Sequence, residues 1–199
     1  MVSGLPNEST RCYLNVIIQA ARACAPISDF DYIQDELYKT LHLEDGPQDA
    51  HETWLRLVDH LEKTRYPKET FYGLQREICI SKSEKEDRNV IFGCIHVSGS
   101  DLSYGGDEYV PTDAGFTLKR TTVLDVPKIM VYVFDSNHEV NFPDTNAYGK
   151  KLVALIVHGL GHYIALVRYD DDWFLTNDMM IEKISNFGYT MRAYMAFYV

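Results

Sequence analysis

The stretch Gly161-His162-Tyr163-Ile164-Ala165-Leu166-Val167-Arg168-Tyr169-Asp170-Asp171-Asp172-Trp173-Phe174-Leu175-Thr176-Asn177-Asp178 decides the fold. Two aromatic and β-branched runs, His162 to Tyr169 and Trp173 to Thr176, flank three aspartates. Such residues favour extended backbone and a short acidic cluster favours a turn, so the pattern predicts a β-hairpin centred on Asp171. Simple pairing about that centre sets Asn177 opposite Ala165 and Asp178 opposite Ile164, each one small register step from His162.

Working outward, the neighbouring apolar runs read as strands too. Lys128 to Phe134 and Leu152 to Val157 are the stronger ones, Arg192 to Val199 closes the chain as another, and Val90 to Phe92 and Ile95 to Val97 are short. Ser98 to Gly106 reads as a Gly/Ser-rich connection without phosphate-loop spacing. The first third is different. Leu14, Ile17, Ile18, Ala21, Cys24 and Ala25 recur at helical spacing behind the N-cap candidates Ser9 and Thr10, and Pro26 ends the run. Ser28 suits the cap of a second helix carrying Phe30, Ile33, Leu37 and Tyr38. A third follows Asp45-Gly46-Pro47, with Asp45 as cap and Ala50, Trp54, Leu57, Val58 and Leu61 on its apolar face. Helices first and antiparallel strands later imply an α+β fold rather than a Rossmann alternation.

The chain of 199 residues, 46% hydrophobic and 24% charged, fits a single folded unit with two lobes, residues 1–70 helical and residues 71–199 mainly β. A net charge of -10 disfavours nucleic acid and anionic membrane as partners and suits a basic peptide. Met1 to Glu8 lacks the basic and apolar regions of a signal peptide, and the longest apolar run is too short to span a bilayer. The expected setting is intracellular, cytoplasmic or nuclear, where Cys12, Cys24, Cys79 and Cys94 remain thiols. No Cys-x-x-Cys pair occurs, and His158 and His162 lack the glutamate of a zincin, so no metal and no cofactor is expected.

Cys12 falls in the first turn of the first helix, where the helix dipole and the adjacent Arg11 favour thiolate. Taken alone, it reads more readily as a buried structural cysteine. A nucleophile needs a base, and the base an orienting group. His162 follows Gly161, which lets a substrate backbone pass close by, and Asn177 or Asp178 is placed to hold its tautomer. Taken alone, His162 is also a surface histidine at a strand start.

The wider pattern resembles a known family. Gly4 to Gln19, with Cys12-Tyr13-Leu14-Asn15 inside it, is similar to the Cys box of ubiquitin-specific proteases. Gln48-Asp49-Ala50-His51-Glu52 resembles that family's Gln-Asp-Ala-x-Glu block, and Leu152 to His158, Gly161 to Ala165 and Trp173 to Asp178 resemble its His box. Val126 to Val131 and Ala193 to Tyr198 are similar to the strands before and after it. The resemblance implies a papain-like cysteine protease with a helical thumb on an antiparallel palm. It implies Cys12 as nucleophile, His162 as base, Asn177 as third triad member, Asp178 as transition-state support and Asn7 as oxyanion donor. It further implies a ubiquitin tail held by Asp49, Glu52, Gly161 and Tyr163, and cleavage after the terminal Gly-Gly. A related modifier, a viral Gly-Gly site and a ubiquitin-binding pseudoenzyme are the alternatives. Ser9, Thr10 and Arg11 replace the usual Gly-Asn-Thr, and Thr53 the usual Phe. The zinc-binding Cys pairs of the family's fingers are missing from Phe71 to Arg120, so the fingers are expected to be absent or reduced to a short hairpin.

Overall fold

The computed structural model describes residues 3–6, 11–24, 49–81, 84–98, 102, 105–112, 115–135 and 138–199. Two helices, α1 (Cys12–Ala23) and α2 (Ala50–Thr64), precede the strands β1 (Gly73–Ile80), β2 (Lys85–Phe92), β3 (Ile95–Val97), β4 (Gly106–Thr112), β5 (Gly115–Asp125), β6 (Met130–Phe134) and β7 (Val140–Asn141). After these come β8 (Leu152–Gly159), β9 (His162–Tyr169), β10 (Asp172–Asn177), β11 (Met180–Ile184), β12 (Thr190–Met191) and β13 (Met195–Tyr198). The helix expected over Ser28 to Tyr38 lies outside the described residues.

The main sheet has the order β11-β10-β9-β8-β13-β6-β3 and is antiparallel except for the parallel β3–β6 pair. Its central strands are covered on both faces, which is why β6, β8 and β13 read as near-continuous apolar runs. One face carries α1 and α2 over Val131, Val133, Ala154, Ile156, Ala165 and Val167. The other carries a second core around Phe142, Leu155, Trp173 and Tyr198. Every residue of α1 except Arg22 is buried, and the helix lies across β8, β9 and β10. The expected apolar face of α2 is all buried. Its cap is Asp49 rather than Asp45, for the Asp49 side chain accepts the His51 and Glu52 amides. Among the described residues, no helix is long and apolar enough to cross a membrane.

The deciding hairpin forms, with its register one residue from the simple expectation. Asp170 and Asp171 both take positive φ, 49° and 71°, and make a two-residue type I′ turn. Asp172 therefore enters the ladder opposite Tyr169, and Thr176, not Asn177, faces Ala165. The turn that matches the right-handed twist of the strands uses two residues, so the centre lies between Asp170 and Asp171.

The expectation of absent or reduced fingers is overturned. Residues 73–125 contain a separate four-stranded sheet of order β2-β1-β5-β4, with β5 reaching 11 residues. Charge holds it where an apolar core does not. Glu77, only 5% exposed, accepts from Gln75 Nε2 at 2.8 Å and pairs with Lys119 at 2.9 Å on β5 and Arg88 at 3.0 Å on β2. On the opposite face Arg76 grips Asp87 and Arg120 grips Asp107, each through two nitrogens. Among the described residues, no group of three or more His, Cys, Asp or Glu is arranged to hold a metal ion.

The Lys119 hydrogen bond, opposed by burial and aided by Arg88, holds the Glu77 carboxyl below its usual range. A depressed carboxyl stabilises the fold above its unfolded value, about pH 4.3, and that contribution disappears as pH falls through the folded value. Glu77→Gln should cost about 2 kcal/mol at neutral pH in urea unfolding, with the difference from wild type shrinking below about pH 4. An equal deficit at pH 3 and pH 7 would show that the carboxylate charge is not what the sheet uses.

Candidate active site

Cys12 is the first residue of α1 and is 8% exposed. The helix starts later than Ser9 or Thr10 would cap it: Arg11 is the N-cap and makes no side-chain cap bond. One turn along the same side, Asn15 sends its side-chain amide to Asp178 Oδ1 at 2.8 Å and to the Pro6 carbonyl at 3.3 Å. Gln19, a further turn on, bonds the Ser3 carbonyl at 2.7 Å. Residues 3–6 are thereby strapped along α1, and the Leu5 amide bonds the Asp178 carbonyl at 3.0 Å. Glycine is required at position 4, because a Cβ there would lie 2.5 Å from the Met179 carbonyl oxygen.

The opposite wall is the start of β9. Leu160 and Gly161 have φ of 53° and 75° and form another two-residue turn between β8 and β9. The turn explains Gly161 by its backbone angle, and a side chain there would meet open space. His162 follows, its side chain 39% exposed. Its Nε2 lies 2.7 Å from Asn177 Oδ1 and 4.0 Å from Asp178 Oδ2. With the Asn177 oxygen as acceptor, Nε2 carries the proton and Nδ1 is left with its lone pair. Asp178 takes a left-handed conformation, φ 51°, at the β10–β11 turn, and so faces both His162 and Asn15. His162, Asn177 and Asp178 thus form one cluster, joined through Asn15 to the helix that begins with Cys12. Asn7 lies outside the described residues.

Asp49 and Glu52 stand at the start of α2. Asp49 Oδ1 accepts the His51 and Glu52 amides at 2.8 and 3.1 Å, and Oδ2 accepts the hydroxyls of Tyr194 at 2.5 Å and Tyr163 at 3.3 Å. Glu52 is exposed. Burial first, then the Asp49 carboxylate, pushes the Tyr163 phenol up to about 12, and Cys12 adds to the same effect. Burial raises Tyr194 likewise, followed by its bond to Asp49. Beside them a cavity of about 310 Å³ is lined in part by His51, His96, Asp135, His158, Arg192 and Tyr194. The His51 and His96 rings meet edge to face at 5.2 Å, and burial followed by His96 lowers the His51 pKa.

The four cysteines are free thiols, and they differ in environment. Burial pushes Cys24 far up and Cys94 to about 12, so both are held as inert thiols. Asn15, Tyr194 and His158 carry this geometry although the sequence assigned them no role. For Asn15 the signal was present, three residues after Cys12 on one helix face. Tyr194 is brought in by β13 from far along the chain, and no spacing announces it.

No protein-family model and no curated protein sequence matches the chain. Solved structures do resemble it. A chain of the SAGA DUB module of Ubp8, Sgf11, Sus1 and Sgf73 bound to monoubiquitin matches with a TM-score of 0.76 at 15% identity, covering 100% of this chain and 69% of that one. The yeast SAGA DUB module with an Sgf73 mutant gives 0.74 at 15%, covering 100% and 68%. The module bound to ubiquitin aldehyde gives 0.71 at 16%, covering 100% and 69%. At these identities the likeness is one of fold alone.

The hydrogen bond at Nε2 makes a spectroscopic prediction. In ¹⁵N NMR, neutral His162 should be the Nε2–H tautomer, and Asn177→Ala should shift it toward a mixture of both tautomers. The wild-type tautomer with its proton on Nδ1 would contradict the assignment of the Asn177 amide.

Proposed function

We propose that the chain is a thiol-dependent deubiquitinating hydrolase that cleaves isopeptide or peptide bonds after the terminal Gly-Gly of ubiquitin. The observation that supports it most is the connected line from α1 through Asn15 and Asp178 to His162, with Asn177 on Nε2 at 2.7 Å. A cysteine at a helix start, a histidine with one nitrogen fixed by an asparagine, and an acid beside them fit nucleophilic acyl transfer. The fold likeness to ubiquitin-bound modules supports ubiquitin as the acyl donor.

In this mechanism His162 Nδ1 takes the Cys12 thiol proton while sulfur attacks the terminal glycine carbonyl carbon. The tetrahedral oxyanion is met by the Cys12 amide at the α1 N-terminus, with Asn7 as the further donor and Asp178 as support. His162 then gives its proton to the leaving amine as the C–N bond breaks, leaving a thioester. Water attacks that thioester with His162 as base, releasing the carboxylate and restoring the thiol. No cofactor enters these steps.

Residues 1–70 and 71–199 act as two lobes of one catalytic domain, with the substrate tail between α2 and β9. Gly161 and Tyr163 line that path. Exposed Glu52 meets the tail arginines through charge-assisted hydrogen bonds, and Asp49 stands behind it. The four-stranded sheet adds a surface for the body of the modifier. An intracellular setting, cytoplasmic or nuclear, suits the free thiols, and neither nucleic acid nor membrane is a partner of this acidic chain.

Ubiquitin and ubiquitin-like probes with a C-terminal electrophile test the reading. The adduct should form on Cys12, be lost in Cys12→Ala and fall at least a hundredfold in rate in His162→Ala, an order of magnitude set by general-base catalysis. Glu52→Ala should raise KM for a ubiquitin amide with less effect on kcat. Adduct formation only with a ubiquitin-like probe would reassign the modifier. No adduct with any probe would overturn the hydrolase.

A further inference from the structure

Asp49 joins the start of α2 to the strand bearing His162. Its extended backbone (φ -87°, ψ 134°) makes it the N-cap of α2, with Oδ1 spent on the His51 and Glu52 amides. Its main-chain carbonyl accepts the Thr53 hydroxyl at 2.8 Å and the Thr53 amide at 3.1 Å. Oδ2 accepts two phenols. An ionised carboxylate offers about four lone-pair sites, and four donors already occupy them.

The two phenols come from β9 and from the residue just before β13, on either side of β8 in the main sheet. Tyr163 follows His162 directly and is 7% exposed. Its ring stacks at 4.2 Å on His158, its direct partner across the β8–β9 ladder. Tyr194 precedes β13, and its backbone bridges two strands, with its amide on the Ile156 carbonyl at 2.7 Å and its carbonyl on the Phe134 amide at 3.0 Å. Both hydroxyls keep their protons well above neutral pH and stay donors to Asp49. A substrate arginine reaching Asp49 would have to displace a phenol or uncap the helix. Glu52, three residues on and exposed, faces neither cost.

We infer that Asp49 is a positioning residue, which fixes the distance between α2 and the first residues of β9 through Tyr163 and Tyr194, and that Glu52 alone of the two acids reads the tail arginines. The inference rests on the proposed hydrolase, since only there does the placement of His162 have a rate to govern. It separates two roles that the sequence block assigns jointly. An acid that grips arginine acts on binding and needs its charge. A positioning acid acts on turnover, needs its hydrogen bonds, and is indifferent to whether the substrate carries arginine.

The test compares Asp49→Ala, Asp49→Asn and the double variant Tyr163→Phe/Tyr194→Phe on two substrates: a ubiquitin amide, and the same amide with its tail arginines changed to alanine. The double variant leaves the helix cap intact and removes only the hydroxyls. It should lose about tenfold in kcat on both substrates, the scale of a sub-ångström misplacement. Asp49→Asn keeps the cap, and its amide can still bond the phenols, so it should recover most of the turnover that Asp49→Ala loses. Hydrogen exchange of the amides at 162–165 should quicken in the double variant, a readout that needs no substrate. Unchanged exchange and unchanged kcat in the double variant would overturn the inference. So would an Asp49→Asn as damaging as Asp49→Ala on the arginine-bearing substrate yet harmless on the other. If wild type cleaves neither substrate, the hydrolase reading fails and the exchange experiment alone decides the positioning role.

Discussion

The turn at Asp178 is the joint between α1, the N-terminal segment and the main sheet. Its left-handed backbone points the carbonyl at the Leu5 amide and the carboxylate at Asn15, while its neighbour Asn177 reaches back to His162. One residue thus receives the N-terminal segment and α1, and lies 4.0 Å from the imidazole. Buried polar groups need partners, and here the need fixes geometry: Asn15, 2% exposed, cannot shift without leaving its amide unsatisfied. Gly4 permits the approach, because any side chain there would strike the Met179 backbone. Cys12, at the start of α1, and His162, at the start of β9, thus sit on elements that Asn15, Leu5 and Asp178 tie together.

Charge does a different job in the four-stranded sheet. Its strands β2, β4 and β5 are exposed along most of their length, so apolar burial cannot set their register. Glu77 does so instead, with three donors: Gln75 on its own strand, Arg88 on β2 and Lys119 on β5. Removing one partner from such a group leaves the others desolvated and unpaired, which makes the register specific even where it adds little net stability. The same sheet leaves Tyr109 and Phe116 each 70% exposed.

The contrast explains what the sequence could tell. Strands β6, β8, β9 and β13 were legible because burial on both faces demands runs of apolar residues, and α1 and α2 because their apolar positions follow the helical period. Lys85 to Asn89, in β2, is Lys-Glu-Asp-Arg-Asn and has no alternation to read, since its fitness for a strand lies in partners on other strands. The missing cysteine pairs spoke against metal-bound fingers but not against fingers, and inferring their loss from that absence was the error. The hairpin was legible and its register was not, because a run of three aspartates does not say which two form the turn. Cys12, His162 and Asn177 were legible as residue types in the order that the resemblance implies. Tyr194 was not, for its role depends on a strand returning beside α2.

Both described helices begin at the cleft, and they begin differently. The partial positive charge of a helix N-terminus attracts anions unless a side chain takes it up. At α2 Asp49 takes it up fully, accepting two amides and two phenols with one carboxylate. At α1 the N-cap is Arg11, which makes no side-chain cap bond, and Cys12 is the next residue. For the proposed chemistry that asymmetry is the useful arrangement. A negative charge that develops at the substrate carbonyl beside Cys12 meets the field of α1, while the field of α2 is committed to holding Tyr163 and Tyr194 in place.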